Sequence, residues 1–373
     1  MMTSVSPASP AWASYNAIAL TVWLVLAALV ATANVLVDPG AIYLQRVFGA
    51  TTSRAVADSL LTQPVGLPNS GNERQMKHAL AEVGGSVDCV LLGSSRILQV
   101  SSVRAPSSIG AVCASVLNLG VSGGTLEDLL IFTRVLLQSD DVPRRVLVGT
   151  DPWMLKFGMD ARYAVFEDDY TAMLAELHAE SEGRISDEHP MLSNLLNAEY
   201  FRATVASLWQ DGLPPLRPLR PADLQPVPAF DVEQGWAEQV LLADGSIVYS
   251  TEQLAQKRAK VAALKVGGGA YKIQGPLQDP KAVALYTDLL RLLLRRGVDV
   301  SILLMPYHPT VYAGPPDGPL AHIIGAERQL RELGATLGIP VVGSYDPARV
   351  GCTKAQFHDD IHPAAACMNQ LAF

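Results

Sequence analysis

The sequence has few charged residues, no basic block and no long stretch that is poor in apolar residues. Charged residues make up 17% of the 373 positions, and hydrophobic residues make up 49%. That much apolar surface excludes an intrinsically disordered chain. The formal net charge is −8, and no run of five or more lysines and arginines occurs. Because nucleic-acid-binding proteins need a basic patch or stripe, we expect no nucleic-acid partner.

Cysteine is also scarce. The sequence contains only Cys89, Cys113, Cys352 and Cys367, and no pair has C-x-x-C spacing. This excludes a small disulfide scaffold and a zinc or thioredoxin-type motif. Cys89 lies in an apolar run and is predicted to be a buried small hydrophobe. A disulfide between Cys352 and Cys367 stays an open alternative, which would fit an oxidising compartment.

One long apolar run is present, at residues 17–37, and it contains no charge. Its 21 residues are close to the ~20 that cross a bilayer as a helix. Ala31-Thr32-Ala33 has the small-x-small form of a signal-peptidase site, but no lysine or arginine precedes Arg46. A signal peptide needs that positive segment, so an uncleaved anchor is the favoured reading and a cleaved signal the alternative. The flanking charges do not indicate which side the rest occupies.

The remainder alternates short apolar strands with helices. Strands are predicted at 87–92, 114–119, 145–149 and 298–305, with another beginning at Pro340; helices are predicted at 127–137, 251–264, 280–296 and 320–337. This order predicts an α/β fold with a parallel sheet covered on both faces. We therefore divide the chain into a tail and transmembrane anchor at 1–40 and one α/β domain at 41–373. The domain carries an insertion at about 155–275, which is rich in proline.

Polar or glycine-rich residues follow each predicted strand. The blocks are Gly93-Ser94-Ser95-Arg96, Asn118-Leu119-Gly120-Val121-Ser122-Gly123, Gly149-Thr150-Asp151-Pro152, Pro306-Tyr307-His308 and, beyond the last strand, His358-Asp359-Asp360-Ile361-His362-Pro363. In such sheets ligands bind outside the carboxyl ends of the strands. We therefore expect these blocks to form one site.

The chemistry that these blocks allow is acyl transfer through a serine. A serine hydroxyl becomes a nucleophile when a base accepts its proton. His362 can be that base, and Asp359, three residues earlier, can orient its ring. The backbone N–H groups of Ser95 and Gly123 are the predicted oxyanion donors. His358 and Asp360 are the neighbouring alternatives, and a metal site formed by His358, Asp359, His362 and His308 is a further one.

Together, Gly93-Ser94-Ser95, the Asn118–Gly123 block and Asp359-x-x-His362-Pro363 resemble the SGNH/GDSL hydrolase superfamily, over roughly 85–155 and 280–373. The resemblance implies a three-layer α/β/α sandwich of flavodoxin-like type. It also implies Ser95 as the nucleophile, Gly123 as an oxyanion donor, and Asp359 with His362 as the remaining triad members.

The third block departs from the family pattern. Asp151 stands where the family usually has an asparagine, and an ionised aspartate cannot donate a hydrogen bond to an oxyanion. In this departure and in its N-terminal anchor, the sequence resembles a subgroup that includes the alginate acetylation proteins and the D-alanyl transfer protein of teichoic-acid modification. The subgroup implies work outside the cytoplasmic membrane, beside a membrane-bound O-acyltransferase.

Four more residues are candidates for the cleft. The first and third strands of a doubly wound sheet are neighbours, so we predict that Arg96 pairs with Asp151 and faces the site. Asn118 either holds the loops together or touches substrate, and His308 either lines the cleft or caps a strand. Trp153 and Tyr307 could stack on a sugar or pack in the core.

The resulting hypothesis is a membrane-anchored O-acyltransferase that acts outside the inner membrane, in the periplasm, with no cofactor and no metal. Its expected partners are an acyl donor, a polysaccharide acceptor, the membrane and a membrane-bound acyltransferase. One alternative is an esterase with the same machinery. The other is a catalytically idle module that binds polysaccharide or scaffolds an acylation complex.

Overall fold

The computed structural model describes most of the chain. The described residues are 10–40, 42–43, 53–60, 63–67, 73–84, 87–104, 107–139, 141–177, 190–211, 213, 225–227, 235–267, 278–315 and 318–373. Its strands are β1 Val65–Leu67, β2 Cys89–Gly93, β3 Val116–Asn118, β4 Arg145–Gly149, β5 Gln225–Pro226, β6 Gln239–Leu241, β7 Ile247–Val248, β8 Asp299–Leu304 and β9 Val341–Gly343.

The principal helices, numbered here in chain order, are α1 Pro10–Val37, α2 Glu73–Val83, α3 Leu126–Gln138, α4 Glu167–Glu176, α5 Pro190–Leu195, α6 Ala198–Asp211, α7 Thr251–Ala262, α8 Pro280–Arg295, α9 Pro309–Tyr312, α10 Pro319–Leu337 and α11 Ala365–Met368. Short 3₁₀ turns connect several of them, among them the turn Ser95–Ile97 directly after β2.

Helix α1 contains the predicted apolar run. Residues Ser14–Val37 have a mean hydropathy of 2.3 over their most apolar window and are long and apolar enough to cross a membrane. Most of their large side chains, Trp23 and Leu29 among them, are exposed. The helix ends at Asp38, whose φ of +48° is left-handed. Aspartate tolerates this conformation better than most residues, which makes the position a natural stop.

Five strands form a parallel sheet in the order β3–β2–β4–β8–β9. All five correspond to predicted strands, and β4 has the predicted bounds. Gly93 at the end of β2 lies opposite Gly149 at the end of β4, which in turn lies opposite Leu303 of β8. The carboxyl ends of the strands therefore meet at one edge, where the polar blocks begin. The mixed α/β class and the parallel sheet agree with the prediction.

Both faces of the sheet are buried, but different kinds of elements cover them. Val90 and Leu92 point to one face, where they join a cluster that includes the long helices α3, α8 and α10. Cys89 and Leu91 point to the other face. There they pack with residues of short turns near 97–113 and with α11 and the C-terminal segment. The longest helices therefore lie against one face of the sheet.

Local signals set several helix ends where the sequence predicts them. The Asp279 side chain caps α8 by accepting a hydrogen bond from the Lys281 N–H at 2.9 Å, and Pro280 is the first residue of the helix. Helix α10 ends at Gly338, with a φ of +69°. A Cβ is strained in this left-handed conformation, so glycine is favoured there.

A second sheet was not expected. It is antiparallel, in the order β5–β1–β6–β7, and three of its four strands lie in the 155–275 segment. Its strands have only two or three residues, too short for an alternating pattern to be recognised. The β6–β7 hairpin attaches to the parallel sheet because Asn118 donates to the Asp244 carbonyl at 2.6 Å and Ile247 donates to the Leu98 carbonyl at 3.1 Å.

All four cysteines are paired in two disulfides, Cys89–Cys113 and Cys352–Cys367. The second is the alternative left open above. The predicted burial of Cys89 is confirmed, because its side chain is 0% exposed, but Cys89 is one half of a disulfide and not simply a small hydrophobe. Cys89 lies opposite Val116 in the parallel register of β2 and β3. Cys113 precedes that strand by three residues, so strand pairing brings the two sulfurs together.

Candidate active site

Ser95 and His362 meet at the carboxyl edge of the parallel sheet. Ser95 is the first residue of the turn after β2, and its Oγ lies 2.7 Å from Nε2 of His362. They are 267 positions apart in sequence, so only the fold joins them. Because Ser95 begins the turn, its N–H has no partner within that turn. Both side chains are half-buried, so a small substrate can reach the hydroxyl.

Asp359 holds the other side of the His362 ring. Its Oδ1 and Oδ2 lie 2.8 and 2.7 Å from Nδ1 of His362. The backbone N–H groups of Ile361 and His362 also donate to Oδ1, at 3.0 and 2.8 Å. This turn fixes the carboxylate locally, as the D-x-x-H spacing predicts. With the Nδ1 proton directed at Asp359, Nε2 is the acceptor for the Ser95 hydroxyl.

The electrostatics of this site favour a neutral imidazole beside an ionised carboxylate. Burial and the positive charge of Lys257 lower the pKa of His362, and Asp359 opposes them. Burial alone would raise the pKa of Asp359, but the hydrogen bond from His362 and the nearby positive charges of His362 and Lys257 lower it well below its usual range. At neutral pH His362 is therefore a proton acceptor, as a general base must be.

Two lysines of α7 complete the surroundings of the histidine loop, and the sequence analysis missed both. Lys257 Nζ donates to Asp359 Oδ2 at 2.6 Å and lies 3.3 Å from His362 Nδ1. One turn later, Lys260 Nζ lies 3.1 Å from Asp360 Oδ1. The helix was predicted, but inside the insertion rather than at the site. The only signal in the sequence was the i,i+3 spacing of the two lysines, which does not show which carboxylates they contact.

A second polar cluster lies directly behind the first. Asp151 accepts a hydrogen bond from the Ser94 hydroxyl at 2.5 Å and pairs with Arg96 at 2.6 Å. The predicted Arg96–Asp151 pair is therefore present. Burial raises the pKa of Asp151, and the guanidinium of Arg96 opposes this rise. Both side chains are almost completely buried, so the carboxylate does not face the position that an oxyanion would occupy beside Ser95.

Arg96 does not face the site as predicted. It is 0% exposed, and its guanidinium donates to the carbonyls of Met305, Pro306 and Ile361 as well as to Asp151. The group also lies 4.0 Å above the ring of Tyr307. The donors of a buried guanidinium must all find acceptors, and these acceptors lie below the site. Arg96 thus ties the ends of β2, β4 and β8 to the histidine loop.

The Asn118–Gly123 loop runs beside the serine block, where Val121 donates to the Gly93 carbonyl at 3.1 Å. Asn118 is fully buried, donates to the carbonyls of Ile97 and Val100, and accepts from Gly120. It therefore holds the loops together and does not line the cleft.

Gly123, in the same loop, has a φ of +67°, and a Cβ there would lie 2.8 Å from side-chain atoms of Arg162 and Asp160. Backbone geometry alone therefore requires glycine. The role of its N–H as an oxyanion donor stays a prediction.

The remaining candidates have structural contacts. His308 is buried and caps α9, because its Nδ1 accepts from the Thr310 N–H at 3.1 Å. Trp153 is 1% exposed and donates to the Gly124 carbonyl at 2.9 Å. Tyr307 is 0% exposed, beneath Arg96. Neither aromatic ring offers a face for stacking on a sugar. His358 packs edge-on against Tyr249, and burial with nearby positive charge lowers the pKa of His358 to about 4.

Among the described residues, one group places three possible metal-ligand atoms within 4.8 Å of one another, namely Asp88, Cys89 and Cys113. Both of its sulfurs belong to a disulfide, so neither is a thiolate ligand. The metal alternative named from the sequence is a different set of residues, and its member His308 is occupied in capping α9.

No protein-family model matches the chain, and no curated protein is detectably similar to it.

Proposed function

We propose that this protein is a membrane-anchored, serine-dependent O-acyltransferase of the SGNH type. The observation that carries the proposal is the continuous hydrogen-bonded series from Ser95 through His362 to Asp359, with contacts of 2.7 and 2.7 Å. Ser95 attacks the carbonyl carbon of an acyl donor while His362 accepts its proton and then protonates the leaving group. A hydroxyl of the acceptor next attacks the acyl-enzyme and regenerates Ser95.

The proposal includes the three-layer α/β/α sandwich of that superfamily. In this proposal, α3, α8 and α10 form one outer layer, on the face of Val90 and Leu92. The short helices and turns on the face of Cys89 and Leu91 form the other outer layer. The catalytic serine follows the first sheet strand and the D-x-x-H block follows the last, which is the order that the family resemblance implies.

Two further observations support a location for this protein. Helix α1 is long and apolar enough to cross a membrane. All four cysteines are in disulfides, and disulfides persist in the periplasm but are rare in the cytosol. We therefore propose that α1 crosses the inner membrane and that the α/β domain lies in the periplasm. The polysaccharide acceptor and the membrane-bound acyltransferase partner rest on the family resemblance.

The arrangement around Asp151 favours an active enzyme over an idle module. Asp151 was the residue that spoke against catalysis, because a free carboxylate beside the oxyanion would repel it. Its oxygens are instead occupied by Ser94 and Arg96, and its side chain is almost completely buried. An esterase would use the same residues with water as the acceptor, so the acceptor must be determined by experiment.

The first test is covalent labelling of the full chain in detergent with a fluorophosphonate, followed by mass spectrometry of the adduct. We expect one label, on Ser95. It should be lost in Ser95→Ala and in His362→Ala and retained in Ser94→Ala, the matched neighbouring serine. A folded protein that takes no label would favour the idle scaffold.

Transfer and hydrolysis are then separated with a chromogenic acetyl ester as the donor, in the presence and absence of a soluble polysaccharide. Appearance of acetyl groups on the polysaccharide supports the transferase. Release of acetate alone, at a rate that the polysaccharide does not change, supports the esterase.

A further inference from the structure

We propose that α5 and α6 form a second membrane-contacting element, with their exposed apolar side chains in the interfacial layer of the bilayer beside α1. This inference rests on the anchoring of α1 in a membrane, which is part of the proposed function, and goes beyond it in adding a second lipid-contacting surface.

Buried polar contacts attach this helix pair to the end of α1. The Tyr200 hydroxyl donates to Asp38 Oδ1 at 2.8 Å, and the Thr204 hydroxyl donates to Asn34 Oδ1 at 2.8 Å. The Asn34 amide donates in turn to the carbonyls of Asn194 and Leu195, at 3.2 and 3.0 Å. Asn34 and Thr204 are both fully buried. The position of the pair against α1 is thus defined by specific hydrogen bonds.

These contacts fix the direction of α6. Moving from Tyr200 to Thr204 corresponds to moving from Asp38 back to Asn34, so α6 runs antiparallel to α1 and continues alongside its apolar span. At 1.5 Å per residue, Trp209 lies about 13 Å further along α6 than Tyr200. The span itself has 24 residues, a length of ~36 Å against a hydrocarbon thickness of about 30 Å. Trp209 therefore lies level with the apolar part of α1.

This element exposes several large apolar side chains. They are Leu192 of α5, Leu196 just after it, Val205 and Trp209 of α6, and Leu213 just beyond it, with exposed fractions of 67, 53, 37, 86 and 71%. No charged residue occurs from 203 to 209, although α6 ends at Asp211, and the exposed Arg202 lies near the level of Asp38. Tryptophan and leucine side chains beside the last turns of a transmembrane helix, with an arginine near the end of that helix, are typical of a membrane–water interface.

The bilayer is the occupant that these observations favour. Hydrogen bonds hold α6 beside the end of α1, and the exposed apolar residues of α1 must be covered by lipid if that helix spans a membrane. In water, an exposed apolar surface of this kind would be costly. Lipid contact with α1 brings the same acyl chains against Val205 and Trp209 with no further conformational change.

The test uses single cysteines in the full chain, reconstituted in vesicles of zwitterionic and anionic phospholipids. All native cysteines are in disulfides, so an introduced cysteine is the only free thiol for a nitroxide spin label. The positions are Trp209→Cys and Val205→Cys, the second of which retains Trp209. Leu24→Cys in α1 is the bilayer control, and Arg291→Cys on the exposed surface of α8 is the aqueous control.

Accessibility to oxygen and to a water-soluble nickel chelate is measured at each position. We expect labels at 205 and 209 to be severalfold less accessible to nickel than the label at 291 and accessible to oxygen, as at 24. Nickel accessibility at 205 and 209 equal to that at 291, with 24 protected, would overturn this proposal and leave the anchor intact. Protection of 205 and 209 from both reagents would also overturn it, because it would indicate protein contact. Nickel accessibility at 24 would overturn the anchor as well.

Discussion

Ser94 and Ser95 are adjacent in the sequence, yet their side chains have opposite surroundings. Ser94 is fully buried and donates to Asp151, whose other oxygen pairs with Arg96. Ser95 is partly exposed, and its hydroxyl meets a histidine with a lowered pKa. A serine becomes a nucleophile when its partner can accept a proton and a substrate can reach it. Ser95 meets both conditions, whereas Ser94 meets neither because it is inaccessible and its carboxylate partner is held by a guanidinium.

The largest expected effect tests this contrast directly. Ser95→Ala should reduce turnover of a chromogenic ester by about 10³-fold or more, because the Ser95 hydroxyl is the group hydrogen-bonded to Nε2 of His362. Ser94→Ala should retain turnover within about tenfold, and should lower the free energy of unfolding by about 1–3 kcal/mol, because Asp151 loses a buried donor. Steady-state kinetics and thermal unfolding measure the two quantities. Loss of turnover in Ser94→Ala with unchanged stability would reverse the assignment.

The buried cluster of Ser94, Arg96 and Asp151 is predicted to stabilise the fold. Arg96→Met leaves Asp151 and three carbonyls without their donor, so we expect a loss of about 3–5 kcal/mol in the free energy of unfolding. Adding Asp151→Asn should restore about 1–3 kcal/mol, since the uncompensated charge is removed while the carbonyls stay unpaired.

Denaturant titration measures both variants of this cluster. Arg291→Met is the matched control, because its ion pair with Asp288 is exposed and such pairs contribute about 1 kcal/mol or less. If Arg96→Met costs no more than this control, the buried cluster does not hold the sheet edge together.

The activity of the accessible cluster, Ser95 with His362 and Asp359, is predicted to depend on pH in a way that Lys257 sets. The neutral form of His362 is required, so activity falls as the pH drops through its pKa. The positive charge of Lys257 lowers that pKa. Lys257→Met should therefore raise the pKa of His362, and the acid limb of the labelling rate should move to higher pH. The shift of the acid limb is measured from labelling rates of the full chain between about pH 4 and pH 8, in steps of roughly half a pH unit.

Lys260→Met provides the comparison for this effect, because Lys260 pairs with Asp360, the residue next to the triad carboxylate. Its acid limb should stay close to that of the native chain. Equal shifts in both variants would mean that docking of α7, and not the charge beside His362, sets the profile. An unshifted Lys257→Met would exclude the electrostatic role.

Much of the parallel-sheet region could be predicted from the sequence. Apolar runs and glycines located all five strands, and Asp279, Pro280 and Gly338 marked helix ends where the structure has them. The D-x-x-H turn was also predictable, since Asp359 and His362 are held together by bonds over three residues. Each of these features depends on neighbours in the sequence, which is why a pattern reveals it.

The second sheet, the Cys89–Cys113 disulfide and the lysines of α7 could not be predicted in this way. Lys257 is 102 positions from Asp359. The polar sequence of its helix indicates only a solvent-exposed surface. From the sequence, His308 was expected to line a cleft or cap a strand, whereas the structure shows that it caps the helix α9.

The sequence by itself determined the positions of the five parallel strands, the residues that follow them, the ends of α8 and α10, and the local pairing of Asp359 with His362, because caps, turns and periodicity act over a few residues. Only the tertiary structure decided that Ser95 and not Ser94 meets His362, that Arg96 turns into the interior, and that α7 adds Lys257 to the histidine loop. Those outcomes depend on which groups are brought together and which are removed from water, and both are properties of the packed chain.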